Sequence, residues 1–257
     1  MQQKLKAFER LLTIMDELRE KCPWDIKQTL ESLRHLTIEE TYELADAITE
    51  NNIEGIKNEL GDLMLHIVFY ARIASDTGDF NIKDVLDGIC EKLIHRHPHI
   101  YADTVVNSAE EVKHNWEQLK LKENRTSVLE GVPNSLPALV KAIRLQDKVK
   151  AVGFDWEEPH QVWDKVQEEL GELKKEVDDK AAVERIESEF GDVLFALINY
   201  ARFIGVNPEN ALAKTNSRFM KRFRFLEKEA GKQGRSLKEM TLEEMDVIWE
   251  KAKKNTE

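Results

Sequence analysis

The sequence predicts an all-α protein built as two tandem copies of one helical bundle unit, and three observations predict it. Every long segment repeats its apolar residues at three- and four-residue steps, and none alternates with period two. One acidic pattern, EExxE followed by ExxD, is written twice. It reads Glu39-Glu40-Thr41-Tyr42-Glu43 with Glu59-Leu60-Gly61-Asp62, then Glu168-Glu169-Leu170-Gly171-Glu172 with Glu189-Phe190-Gly191-Asp192. Further residues match in the same order: Lys92 and Arg96 with Arg218 and Arg222, and Trp116 and Lys120 with Trp249 and Lys253. Duplication of a unit of roughly 120 residues accounts for this.

Taken in order, residues 4–20 form an amphipathic helix through Leu5, Phe8, Leu11, Leu12, Met15 and Leu18, ended by Cys22-Pro23-Trp24-Asp25 because proline cannot continue it. A second helix spans 28–50. Thr37 and Glu40 have the spacing of a capping box, but the hairpin reading makes position 37 already helical. Asn51-Asn52 supplies the turn, and the third helix covers 53–75 up to Thr77-Gly78-Asp79. Helices over 81–96 and 108–122 complete the first unit, 1–123, the last opening with Ser108 and Glu111 as a capping pair. His95, His97 and His99 are read as a loop ending a helix. The stretch 124–137, with Gly131, Pro133 and Pro137, is the linker. The second unit, 138–257, resumes with helices over 138–151, 160–177, 182–204, 208–230 and 241–255. Gly153 to Trp156 replaces the Pro-Trp-Asp break, and Asn207-Pro208 and Thr241 to Glu244 are start signals. Trp24 and Trp156 are assigned to the core.

The acidic motifs carry the chemistry. Residues three apart share a helix face, so Glu40 with Glu43 and Glu59 with Asp62 each form a two-carboxylate patch. If the chain folds back at position 51, that position is midway between Glu43 and Glu59 and also between Glu40 and Asp62. The turn at Asp178-Asp179 nests Glu169, Glu172, Glu189 and Asp192 in the same way around 180.5. Four carboxylates at one level of a hairpin repel unless protons or a cation intervene. Oxygen-only ligands select a hard cation, Mg²⁺ with Mn²⁺ as substitute. Gly61 and Gly191 each cost a mid-helix position roughly 1 kcal/mol against alanine, which a close helix or ligand approach would explain.

Composition narrows the class. With 41% apolar and 34% charged residues over 257 positions, the chain suits a soluble helical protein. A formal charge of −11 argues against a nucleic-acid polymer as partner, though not against a single nucleotide. No apolar run approaches a membrane span or a signal peptide, so a cytoplasmic protein without a membrane partner is expected. Cys22 and Cys90 have neither disulfide nor zinc spacing.

These motifs, the Pro-Trp-Asp segment, the Ser127 to Pro137 stretch and the Trp-xxx-Lys pairs resemble the MazG family of the all-α NTP pyrophosphatase superfamily across almost the whole chain. The resemblance implies a helical homodimer that hydrolyses nucleoside triphosphates, ATP among them, to monophosphate and pyrophosphate. Damaged or signalling nucleotides are further candidate targets. It also implies Mg²⁺ held by Glu169, Glu172, Glu189 and Asp192, and formally by Glu40, Glu43, Glu59 and Asp62. On that footing Arg185, Asn216, Arg218, Arg222, Trp249 and Lys253 are the substrate-binding candidates and Glu168 the candidate base that orients water. Alignment places Gly55 opposite Arg185 and Cys90 opposite Asn216. The second unit is therefore expected to be catalytic and the first a degenerate partner serving structure or regulation. Two rivals differ in class: a di-iron bundle, which would need Glu111 to His114 and Glu157 to His160 inside the acidic hairpins, and a non-enzymatic nucleotide-binding regulator.

Overall fold

The computed structural model describes residues 1–106, 108, 111, 112, 115, 116, 119 and 127–255. The described residues contain helices and turns and no strand. The chain divides into two compact units, Met1–Trp116 and Glu117–Glu257.

In the first unit α1 (Gln2–Lys21) stops where Pro23 forbids continuation, and a 3₁₀ turn follows at Asp25–Lys27. Arg19 closes this break. Its Nη1 donates to the carbonyls of Asp25, Ile26 and Gln28, the last two at 2.9 and 3.0 Å, while Nε binds Asp76 at 2.9 Å. α2 (Leu30–Thr49) begins with a capping box in which the Ser32 amide donates to Thr29 Oγ1 at 3.1 Å and the Thr29 amide to Ser32 Oγ at 2.9 Å. Thr37 is thus inside the helix, as the hairpin reading requires. The turn passes through Asn51 at φ 54°, a left-handed value that asparagine tolerates. Asn52 then caps α3 (Ile53–Thr77) by accepting from the Gly55 amide at 3.0 Å. Gly78, at φ 76°, ends α3. α4 (Ile82–Arg96) is followed by a single helical turn, α5 (Pro98–Tyr101), where a loop was expected; proline at the first helical position favours that turn.

The expected helix over 108–122, with His114 and Lys120, lies largely outside the described residues. Its start is described, and the Glu111 amide donates to Ser108 Oγ at 3.1 Å.

In the second unit α6 (Ala138–Lys150) is preceded by turns that Lys148 holds through the carbonyls of Val128 and Glu130, at 3.0 and 3.1 Å. α7 (Pro159–Asp178) and α8 (Val183–Phe203) form the second hairpin, with Lys180 at φ 48° in its turn. α9 (Pro208–Lys232) pairs with α10 (Leu242–Asn255) across a 3₁₀ turn at Leu237–Glu239, and touches α6 and α8. The Thr241 and Glu244 start signal holds: the Thr241 amide donates to Glu244 Oε2 at 2.9 Å. No helix among the described residues is long and apolar enough to cross a membrane.

The hairpins are positioned by packing on one face. In the first unit Met15, Leu33, Val68 and Phe69 are buried together, with Leu11, Leu36 and Leu65 against them. In the second, Val162, Val166, Val193 and Ile198 are buried along α7 and α8, and Leu226, Ala230, Met240 and Ile248 join α9 to α10. The tryptophans differ from expectation: Trp24 is 54% exposed and Trp156 45% exposed, so neither is a core residue. Because Leu33 is 0% exposed, Leu33→Ala is expected to cost the first unit about 2–5 kcal/mol, read as a lower denaturant midpoint by circular dichroism.

Candidate metal centre

Each hairpin brings carboxylates to one level. In the first, one oxygen each from Glu40, Glu43 and Glu59 lie within 4.8 Å of one another; in the second, the three are Glu169, Glu189 and Asp192. The fourth members, Asp62 and Glu172, stand outside these triads yet within electrostatic reach. Burial and the charges of Asp62, Glu43 and Glu59 push the Glu40 carboxyl above its ordinary range. Burial and the charges of Glu172, Asp192, Glu169 and Glu176 do the same to Glu189. The acidic clusters found among the described residues contain no histidine, whereas a di-iron bundle needs a Glu-x-x-His pair on two helices.

Lys165 answers part of this charge. Its Nζ binds Glu169 at 2.8 Å and Glu168 at 2.9 Å. The hydrogen bonds to Glu168 and Glu169 in turn push the ammonium pKa upward. Glu168, the candidate base, is therefore exposed beside the cluster and paired with a lysine. The lysine was legible as an i, i+4 partner of Glu169 but was not singled out. The first hairpin has Leu36 at the corresponding position.

The triads fit Mg²⁺ or Mn²⁺. Two oxygens on opposite sides of an octahedral Mg²⁺ at about 2.1 Å are about 4.2 Å apart, so atoms spread over at most 4.8 Å need only small adjustments. Gly61 and Gly191 have nothing within 4 Å of where a Cβ would stand. A close approach by a neighbouring helix of this chain is therefore not their reason, and both positions face open space.

The basic candidates divide. Arg185 is not aimed along its helix at the cluster; its Nη2 binds Glu176 across the hairpin at 2.6 Å. Glu176 is buried and was missed by sequence reasoning, although it follows Glu172 by one helical turn. The first hairpin has Ala47 and Gly55 at these two positions, and a Cβ on Gly55 would come within 3.2 Å of the Ala47 Cβ and 2.7 Å of Asn52 Nδ2. Asn216, Arg218 and Arg222 are on α9. Asn216 and Arg218 are exposed, Arg218 donating to Thr215 Oγ1 at 3.0 Å, and Arg222 is half-buried. Trp249 and Lys253 are on α10. The Trp249 ring packs 5.2 Å from that of Phe219, and Lys253 binds Glu250 at 2.5 Å. The matching Trp116 in the first unit has the Arg96 guanidinium 5.8 Å from its ring centre. His66, buried with no partner for Nδ1, was also missed; burial lowers its pKa while Asp62 opposes that.

Beside the second triad opens a cavity of about 610 Å³. Lys165, Glu169 and Asp192 line it on one side, and Phe154, Trp156 and Phe195 give it apolar walls.

A raised carboxyl pKa means that folding disfavours the charged form, so the metal-free protein loses stability as pH rises from about 4.5 through the folded pKa of Glu189. Glu189→Gln is expected to raise the thermal midpoint in chelator at neutral pH, with the gain vanishing in acid. Added Mg²⁺ should stabilise the wild type more than the variant.

Comparison with known proteins agrees with the hairpin geometry. The MazG nucleotide pyrophosphohydrolase domain matches residues 28–101, which contain the first carboxylate set. The chain is 44% identical, over 96% of its length and 95% of the relative's, to the nucleoside triphosphate pyrophosphohydrolase/pyrophosphatase MazG of Thermotoga maritima. It is 40% identical, over 97% and 98%, to the nucleoside triphosphate pyrophosphohydrolase of Escherichia coli K12. A 45% identity to the uncharacterized protein YabN of Bacillus subtilis covers 96% of this chain and 51% of that one. With two relatives matched almost end to end over both carboxylate hairpins, the chain belongs to the MazG nucleotide pyrophosphohydrolase family.

Proposed function

We propose that the protein hydrolyses ribo- and deoxyribonucleoside triphosphates to monophosphate and pyrophosphate by attack of water at the α-phosphorus, in the second unit. The observation that carries this reading is the cavity of about 610 Å³ whose wall includes Glu169 and Asp192. A carboxylate cage opening into a space of nucleotide size is what a cation-dependent phosphate chemistry needs. The names of the relatives agree with it.

Glu169, Glu172, Glu189 and Asp192 would hold Mg²⁺ or Mn²⁺. Once bound, the cation would neutralise phosphate oxygens and lower the pKa of the attacking water. The protein's own groups do the positioning. Lys165, whose Nζ stands on Glu168 and Glu169, is placed to offer its ammonium to a phosphate at the edge of the cage. Arg218 and Arg222, one turn apart on α9, take the outer phosphates, with Asn216, Trp249 and Lys253 bordering them. Glu168, next to Lys165 at the edge of the cage, orients the water. Arg185 acts through Glu176, by fixing the hairpin that carries Glu172 and Glu189.

The first unit keeps its triad but has Leu36, Ala47, Gly55 and Cys90 where the second has Lys165, Glu176, Arg185 and Asn216. On this reading it serves packing, dimerisation or regulation. Helix α4 buries none of its residues, and Val85, Leu86, Ile89, Leu93 and Ile94 stay exposed along it. Such a face favours a homodimer, and light scattering at micromolar concentration should return twice the chain mass.

Incubation with dGTP and Mg²⁺ is expected to yield dGMP and pyrophosphate. Orthophosphate would indicate a different phosphatase, and unchanged dGTP a nucleotide-binding regulator. Glu172→Gln should abolish turnover with the helical circular dichroism intact, whereas Glu43→Gln should retain most of it. Equal losses would make both units active sites.

A further inference from the structure

We propose that the cavity beside Glu169 and Asp192 is a nucleobase pocket in which Gln146 Oε1 accepts a hydrogen bond from an N–H on the base edge. This rests on the hydrolase reading above and specifies what fills the far end of its site.

Gln146, on α6, is 4% exposed and lines the cavity. Its Nε2 donates to the Phe195 carbonyl at 2.9 Å. A carbonyl only accepts, so the amide cannot be turned the other way, and Oε1 stays an acceptor beside the second N–H of Nε2. That oxygen is buried and has no hydrogen-bond partner in the chain. Native structures seldom leave a buried acceptor so unless something from outside completes it.

A second amide in the same wall is fixed by its neighbours. Asn199 Oδ1 accepts from Arg202 Nε at 3.2 Å and Nη2 at 2.7 Å, and Asp155 holds Arg202 in turn, with Nη1 at 2.8 Å from Oδ2. This leaves Asn199 Nδ2 as the donor of that side chain. Gln146 and Asn199 thus line the cavity as two amides whose spare acceptor and spare donor are set by their neighbours, beside the aromatic rings of Phe154, Trp156 and Phe195. Its volume of about 610 Å³ lies within the roughly 300–1,000 Å³ of small-molecule sites. With the phosphates drawn to the carboxylates, the aromatic and apolar remainder suits a base better than a sugar.

An acceptor is satisfied by the exocyclic amine of adenine or cytosine, or by the ring N–H of guanine, thymine or uracil. Gln146 thus requires a hydrogen-bonding edge and does not single out one base.

The test uses the full chain with Mg²⁺ and compares dTTP with the triphosphate of its difluorotoluene isostere. The two share sugar, phosphates and shape, but the isostere has no N–H. The expected kcat/KM for the isostere is lower by about 10- to 100-fold, chiefly through KM, and Gln146→Leu should shrink whatever gap the wild type shows by about tenfold. Equal use of both substrates by the wild type overturns the pocket while leaving the hydrolase reading intact. An unchanged gap in Gln146→Leu assigns discrimination to another group and overturns the role of Gln146. If neither substrate turns over, the hydrolase reading fails, and equilibrium affinities of the same pair still decide whether the base edge is read. Should that variant not fold, Gln146→Met, which keeps the side chain's length and removes the acceptor, takes its place.

Discussion

Repulsion among carboxylates held at one level of a helical hairpin is the constraint on which the rest of the molecule turns. An α-helix sets acidic side chains three residues apart on one face, and a short turn sets two such faces opposite each other. The helices can hold that arrangement because their other faces are fastened by burial: Leu33 and Val68 in one unit, Val162, Val166 and Val193 in the other. The upward shifts of Glu40 and Glu189 express the same strain. Lys165 relieves part of it, and a divalent cation would relieve more.

The two units handle that constraint differently. The second adds polar compensation around its triad, with Lys165 on the carboxylates, Arg185 on Glu176, and Arg202 tying Asp155 to Asn199. The first puts small or apolar residues at the equivalents of Lys165, Glu176 and Arg185, and spends its guanidinium groups elsewhere. Arg19 and Arg72 converge on Asp76. Burial by itself would raise that carboxyl, but their hydrogen bonds and charges hold it below its ordinary range. Electrostatic support is thus directed at the carboxylate cage in one unit and at the fastening of α1 to α3 in the other.

Much of this was legible in the sequence, for physical reasons that also mark where legibility stopped. Helix spans were readable because apolar periodicity, caps such as Thr241 and Glu244, and breakers such as Pro23 act over a few residues. The carboxylate convergence was readable because nested spacing about positions 51 and 180.5 is a property of any hairpin. Pairings across the hairpin were not. Nothing in the spacing says that Arg185 prefers Glu176 over the cage, since that depends on which side chains face each other after the turn. Trp156 is open against expectation, and Gln146, which sequence reasoning did not single out, is enclosed for a related cause. A tryptophan is apolar enough for a core and a glutamine polar enough for a surface, so only the cavity between α6 and α8 reveals why the ring is open and the amide enclosed.

The close approach of Ala47 to Gly55 in the first hairpin has a consequence for interchange between the units. There a Cβ at position 55 would stand 3.2 Å from the Ala47 Cβ and 2.7 Å from Asn52 Nδ2, so the Asn52 side chain that caps α3 would have to shift. In the second hairpin the corresponding gap is bridged by a carboxylate and a guanidinium. A graft of arginine alone onto position 55 would meet steric exclusion, and a graft of glycine alone onto 185 would strand a buried Glu176. The two solutions are therefore separate local optima. Moving between them requires positions 47 and 55 of the first hairpin, or 176 and 185 of the second, to change as a pair.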